Sequence, residues 1–67
     1  MNVAEAISVD KDILNGTPVF KGTRVPVKNL FDYLEAGDSL NGFLNDFDYI
    51  SKESCLTVLE MHNHRNN

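Results

Sequence analysis

A chain of 67 residues and 7.5 kDa has room for one small domain, residues 1–67. Its single cysteine excludes an intramolecular disulfide, and no apolar run approaches the roughly 18 residues of a membrane span. Ten acidic and six basic residues give a net charge of −4, which disfavours unaided nucleic-acid binding.

The length of the chain and its N-terminal residues predict its assembly and its location. A core of this size is weak on its own, so we expect a homodimer built through the N-terminal half, or a partner-bound protein. The first residues lack the basic start and apolar stretch of a signal peptide, and the expected location is cytoplasmic, with no membrane contact.

Residues 1–25 are predicted to form a short β arm with its turns. We expect two short strands at 5–9 and 18–21, with a single helical turn at 10–14 between them. Asn15 and Gly16 form a strong turn signal because both tolerate positive φ. Pro18 precludes one ladder hydrogen bond, so its strand lies at an edge or begins there.

Residues 26–63 are predicted to form a three-helix core. Apolar residues at i, i+3, i+4 and i+7 predict a first helix over 26–36, with Pro26 at its first position and Gly37 at its end. The same spacing predicts two further helices.

The second helix, over about 40–47, is capped by Ser39 or Asp38, and the third, over 52–62, is capped by Ser51. About four residues separate these helices, the spacing of a helix-turn-helix. The predicted fold class is therefore mainly α: a short N-terminal β arm with two short strands, then a homeodomain-like or winged-helix-like helix-turn-helix bundle.

No catalytic or metal site is expected. Cys55 lies on the apolar face of the third helix and is interpreted as a buried core thiol. His62 and His64 supply only two of the four ligands of a structural zinc site and are interpreted as a solvated terminal pair. Residues 64–67 are expected to be frayed. The aspartates near the helix ends are interpreted as capping residues: Asp38, Asp46 and Asp48.

If the chain binds DNA, the contacts come from the basic side chains and from the exposed N-terminal end of the third helix. The acidic Glu53 and Glu60 on that helix oppose this use, and a solvated helix face is the favoured interpretation. The candidate DNA-binding residues are Lys21, Arg24, Lys28, Lys52, Ser54 and Thr57.

Arg24 has two interpretations. Guanidinium presents five fixed donors, which suit a clamp onto loop carbonyls and the carboxylate of Asp32 or Asp46. The alternative is a phosphate contact. We favour the clamp.

The segment 15–27 resembles the signature of domain-of-unknown-function family 433 (DUF433), Gly-x-Pro-Val-x-x-Gly-Thr-Arg-x-Pro-Val. The resemblance continues through segments 36–39 and 43–47 and reaches Leu59. Its motif positions in this chain are Gly16, Pro18, Gly22, Thr23, Arg24 and Pro26.

The resemblance implies a helix-turn-helix core behind a β arm. It also implies a VapB-like antitoxin role, because many such proteins are encoded beside PIN-type nucleases. Three features depart from the family pattern: Asn41 and Gly42 replace an acidic pair, Asp48 replaces a frequent proline, and the chain stops soon after the third helix. We therefore expect any neutralisation of a toxin to use the folded body.

Two functions follow as expectations. The first is an antitoxin-like component of a type II toxin-antitoxin system, which binds and neutralises a PIN-type ribonuclease and, as a dimer, binds operator DNA weakly. The alternative is a protein-interaction or dimerisation module without DNA binding. The sequence favours neither an enzyme nor a bound cofactor.

Overall fold

A computed structural model describes residues 1–65, with the side chains of residues 1–63. The chain is mainly helical with a two-stranded antiparallel sheet near its N-terminus, which confirms the predicted fold class. Within residues 1–65, no helix combines the length and the apolar character needed to cross a membrane. The elements in chain order are α1 (Val3–Ala6), β1 (Ile7–Ser8), a 3-10 turn (Leu14–Gly16), β2 (Val19–Phe20), α2 (Lys28–Glu35), α3 (Leu40–Asp46) and α4 (Lys52–Arg65).

The two strands are shorter than predicted. Ile7 lies opposite Phe20, and Ser8 lies opposite Val19. The predicted strand 5–9 is wrong at its start, because Asn2 and Glu5 form a capping box that begins a helical turn, α1. The Glu5 N–H donates to Asn2 Oδ1 over 2.9 Å, and the Asn2 N–H donates to Glu5 Oε1 over 3.1 Å.

Residues 25–27 flank β2 on its other side. The Phe20 N–H donates to the Val25 carbonyl and the Val27 N–H to the Pro18 carbonyl, both over 3.0 Å. Val19 and Pro26 form a β-bridge between these segments. β2 is therefore the central strand and starts directly after Pro18, while β1 is the edge strand.

The loop between the strands contains two successive turns where a single helical turn was predicted over 10–14. The Ile13 N–H donates to the Asp10 carbonyl over 2.8 Å, and the 3-10 turn Leu14–Gly16 follows. Asn15 and Gly16 have φ values of 57° and 86°, which confirms the turn predicted there.

The first helix starts later than predicted, at Lys28, because Pro26 belongs to the bridge with β2. It ends at Glu35, and Gly37 has a φ of 92°, as expected of a glycine that follows a helix.

Hydroxyl caps begin the next two helices as predicted. Ser39 Oγ accepts from the Gly42 N–H, and Ser51 Oγ accepts from the Ser54 N–H, each over 3.0 Å. α4 extends to Arg65, so the predicted frayed end does not begin at residue 64. Residues 66 and 67 and the side chain of His64 lie outside the description.

The core forms where the β arm meets α2, α3 and α4. Phe20 and Phe43 pack with tilted rings at 5.9 Å between centroids, and Tyr33 contacts Phe43 edge-on at 5.2 Å. Cys55 is 0% exposed, which confirms its predicted place in the core. The buried cluster comprises Phe20, Val25, Val27, Leu30, Phe43, Ile50, Cys55 and Val58.

Candidate binding surface

The Gly-Thr-Arg motif forms the turn between β2 and residues 25–27. Gly22 has a φ of 80°, a backbone conformation that glycine adopts without strain. The Thr23 hydroxyl donates to the Phe20 carbonyl over 2.7 Å and accepts from the Val25 N–H over 3.0 Å. Gly22 and Thr23 therefore have a structural role, since they close this turn.

Arg24 does not act as a clamp, and that prediction is wrong. Its side chain is exposed and has no hydrogen bond or ion pair with the residues that the structure describes. Both proposed partners are engaged elsewhere: Asp32 Oδ2 lies 2.8 Å from Lys28 Nζ, and Asp46 Oδ2 accepts from the Tyr33 hydroxyl over 2.7 Å. Arg24 thus presents a free cation at the tip of the turn.

Two of the candidate lysines have intramolecular partners. Lys21 Nζ donates to the Ala4 carbonyl over 3.2 Å and so holds α1 against the arm. Lys28 pairs with Asp32 one turn further along α2, which raises the pKa of Lys28 mainly through the hydrogen bond. The three candidate lysines belong to different elements: Lys21 follows β2, Lys28 begins α2 and Lys52 begins α4.

The face of α4 that carries the candidate contacts Ser54 and Thr57 is covered by α1 and by Met1. The Ser54 hydroxyl donates to Met1 Sδ over 3.4 Å, and Thr57 lines a cavity of about 260 Å³ together with Met1 and Val3. The Thr57 hydroxyl is also bonded to the carbonyl of Glu53, over 2.9 Å. Of the three candidates on this helix, Lys52 alone projects freely into solvent.

One cavity does bring several candidates together. Lys21, Thr23 and Ser54 line a hollow of about 270 Å³ between α1, the motif turn and the start of α4. Glu5 lines the same hollow, and Glu53 lies 3.8 Å from the Met1 amine. These carboxylates make the hollow unsuited to a phosphate.

Apolar surface is concentrated in a groove of about 370 Å³, here called the arm groove. It runs between the β arm, the start of α2 and the C-terminal half of α4. Phe31 and His62 meet across it at 4.8 Å between ring centroids, and His62 remains exposed, as predicted for this residue. The groove is lined by Ile7, Thr17, Pro18, Val27, Lys28, Phe31, Met61 and His62.

Carboxylates are concentrated in residues 29–51, here called the acidic segment. This stretch has no lysine or arginine, and it forms α2, α3 and their connections. Asp38 and Asp46 both lie close to Tyr33 and, together with burial, raise the pKa of its hydroxyl, the hydrogen bond to Asp46 being the largest cause. All five carboxylates are exposed: Asp32, Glu35, Asp38, Asp46 and Asp48.

Metal and thiol chemistry find no support among the described residues. No group of three or more His, Cys, Asp or Glu side chains there is arranged to hold a metal ion. Burial raises the pKa of the Cys55 thiol, which disfavours the reactive thiolate.

A family model described as "Protein of unknown function (DUF433)" matches residues 7–60. The chain belongs to this family. The match confirms the resemblance carried by the Gly-Thr-Arg motif, and α1 of this DUF433 chain lies before the matched region. No curated protein and no solved structure matches the chain.

Sequence reasoning on this DUF433 chain missed the arm groove and the acidic segment. The absence of basic residues between Lys28 and Lys52 was the available signal for the acidic segment. Phe31 lies on the apolar face of α2, and no sequence signal separates a groove residue from a core residue there.

Proposed function

We propose that this chain is an antitoxin-like component of a type II toxin-antitoxin system, which acts in the cytoplasm as a homodimer and neutralises a PIN-type ribonuclease. The observation that carries the proposal is the acidic segment. Asp32 is paired with Lys28, but the other four exposed carboxylates of this segment have no ion pair among the described residues, and they complement the basic surface with which a ribonuclease holds its RNA. The nuclease class comes from the family resemblance.

Autonomous DNA binding fits the same surface less well. Ser54 and Thr57 face α1 and not a major groove, and Lys21 and Lys28 have partners within the chain. Neutralised phosphates supply most of the affinity of a protein for duplex DNA, so a chain of net charge −4 starts at a disadvantage. Operator binding is therefore a property of the complex with a basic partner.

A second candidate function is a protein-interaction or dimerisation module whose helix-turn-helix does not bind DNA. The covering of Ser54 and Thr57 by α1 favours it. It differs from the first candidate in predicting no inhibition of the neighbouring nuclease.

The test is a titration of the purified chain against the PIN-type nuclease encoded beside it and against its own upstream duplex, at ~0.15 M salt. We expect much tighter binding to the nuclease, with loss of its ribonuclease activity. Binding without inhibition would favour the interaction module, and nanomolar binding to DNA by the chain alone would make it an autonomous repressor.

Two double variants locate the surface. D38N/D48N removes two carboxylates of the acidic segment, whereas L56K/N63K adds two lysines to the outer face of α4, and both change the net charge equally. We expect at least a tenfold loss of nuclease affinity for D38N/D48N, about 1.4 kcal/mol, and little change for L56K/N63K. Equal losses would show that net charge acts alone.

A further inference from the structure

The tripeptide Leu-Asn-Gly occurs twice in the chain, at 14–16 and at 40–42. The first copy forms the 3-10 turn of the β arm, and the second forms the first turn of α3. The same covalent sequence therefore lies in two environments, and a difference in chemistry between the two copies comes from the fold.

Backbone strain is concentrated in the first copy. Leu14 and Asn15 have φ values of 50° and 57°, the left-handed region that a type I′ turn requires at both of its central residues. Asparagine tolerates this region, whereas leucine rarely adopts it, because its Cβ comes too close to the following carbonyl oxygen. The preferred central pair of such a turn is Asn-Gly, and here the pair is shifted by one residue, so that Leu14 occupies a central position.

Few contacts hold this turn closed. None of its residues is buried, and Leu14 is 43% exposed. The Gly16 N–H donates to the Ile13 carbonyl over 3.2 Å, and the Thr17 N–H and hydroxyl donate to the Leu14 carbonyl over 3.1 and 2.8 Å. The side-chain amide of Asn15 has no hydrogen-bond partner within the described residues. Segments without buried side chains open locally at a small cost in free energy, and opening here also relieves the strain at Leu14.

We infer that Asn15 is a site of spontaneous deamidation in the folded chain, whereas Asn41 is protected. When the turn opens, the backbone nitrogen of Gly16 gives up its proton and attacks Asn15 Cγ. A bond forms between this nitrogen and Cγ, and the side-chain nitrogen leaves with the proton as ammonia, which closes a cyclic imide. Glycine has no side chain to hinder the attack.

Water then opens the imide at one of its two carbonyls. Addition at Cγ yields aspartate. Addition at the backbone carbonyl yields isoaspartate, in which the main chain runs through the former side chain. The overall reaction consumes one water and releases one ammonia, and each product adds one negative charge at residue 15.

Asn41 has the same neighbours in sequence, but α3 prevents the reaction there. The attack needs a rotation about the Cα–C bond of the asparagine, and in α3 this rotation breaks the first helical turn. The Gly42 N–H donates to Ser39 Oγ over 3.0 Å, and the Phe43 N–H donates to the Ser39 carbonyl over 3.1 Å. Phe43 is 0% exposed, so unwinding this turn also disturbs the core.

The two products have different effects on the β arm. Aspartate keeps the length of the main chain and tolerates a positive φ, so the turn persists. Isoaspartate adds one methylene to the main chain shortly before β2, whose register with β1 sets Ser8 opposite Val19. We expect the isoaspartate form to lose part of this pairing and to unfold at a lower temperature.

The experiment follows both tripeptides in one sample. The folded protein is kept at mildly alkaline pH and then cut with trypsin, which places Asn15 in fragment 12–21 and Asn41 in fragment 29–52. Mass spectrometry reads the conversion at each asparagine. We expect Asn15 to convert at least about tenfold faster than Asn41, because an exposed turn opens far more often than a helix packed on the core. In urea the two should convert at similar rates, since the tripeptides are identical.

Two variants at the same position serve as controls. Glutamine cyclises much more slowly than asparagine, so fragment 12–21 of Asn15→Gln should keep its mass. Asn15→Asp carries the added charge without the added methylene. We expect Asn15→Asp to melt at the temperature of the wild type, and the aged, isoaspartate-containing chain to melt lower.

The outcomes decide the inference independently of any partner. Equal rates in the folded chain, or a faster reaction at Asn41, would show that the fold does not select Asn15. Conversion in urea alone would show that the turn stays closed and would overturn the site. An aged chain that melts like Asn15→Asp would overturn the effect on the β arm. The nuclease titration tests the proposed function separately.

Discussion

Neighbouring residues of the Gly-Thr-Arg motif differ in what they contribute. Thr23 uses its hydroxyl as donor and acceptor to the backbone on both sides of the turn, and it is half-buried. Arg24 points into solvent and pairs with none of the described side chains. Membership of one motif therefore covers two roles, turn closure for Thr23 and a free charge for Arg24.

Urea unfolding distinguishes these roles. Thr23→Val keeps the shape of the side chain but leaves the Val25 N–H unpaired, and we expect a loss of about 1–3 kcal/mol in the free energy of unfolding. Arg24→Ala removes no intramolecular contact, and the expected change is within about 0.5 kcal/mol. If Arg24→Ala lowered the free energy of unfolding more than Thr23→Val, Arg24 would have the clamping role that the sequence favoured.

Tyr33 provides a second prediction for a single residue, since its hydroxyl donates to the Asp46 carboxylate and its pKa lies above the ordinary value of 10.0. Because the folded pKa is raised, this bond stabilises the fold fully below pH 10.0 and is lost as the pH rises through the folded pKa. We expect Asp46→Asn to lower the pKa of Tyr33. Ultraviolet titration in a Tyr49→Phe background, where Tyr33 is the remaining tyrosine, measures the difference.

Substitution by alanine is expected to have opposite effects on stability at Gly37 and at Gly42. Gly37 follows α2 with a φ of 92°, so Gly37→Ala forces a Cβ into a strained conformation and should cost about 1–2 kcal/mol. Gly42 lies in the first turn of α3, where an added Cβ meets Ser39 Oγ at 3.5 Å, an ordinary contact. Gly42→Ala should therefore stabilise the chain by about 0.5–1 kcal/mol. Thermal melts of the two variants should shift in opposite directions.

Elements with local signals were predictable, and elements that depend on distant partners were not. The helices α2 to α4 follow from apolar spacing, serine caps and Gly37, all within one turn of the element concerned. The pairing of Pro26 with Val19 competes with a helical start at Pro26, and the tertiary pairing prevails. The spacing of Asn2 and Glu5 was a usable signal for α1, but the β-prone residues that follow obscured it.

The binding surface was harder to predict for the same reason. Whether Ser54 and Thr57 are open depends on α1, which is remote in sequence, and no local pattern reports that contact. The partners of Lys21 and Asp46 likewise lie on other elements. Chemical type alone therefore identified Lys21 as a DNA contact, although its amine already bonds a carbonyl.

The charge of the whole molecule predicts that its affinity for DNA depends only weakly on salt concentration. Lys11, Arg24 and Lys52 are exposed and unpaired among the described residues, which allows two or three phosphate contacts per chain. At about −0.9 per phosphate, the slope of log affinity against log salt should be roughly −4 to −5 for a dimer. Measuring the affinity for a duplex over a salt series gives this slope. A slope of about −8 would require more basic surface than the described residues offer.

The contact between α1 and α4 determines when folding can be completed during synthesis. The contact joins segments that lie far apart in sequence, since Met1 Sδ and Ser54 Oγ meet across 53 positions. The pairing of β2 with residues 25–27 is local by comparison, and local contacts form early. During synthesis α1 therefore has no surface to dock on until α4 emerges, so an element made before the strands reaches its final position after them.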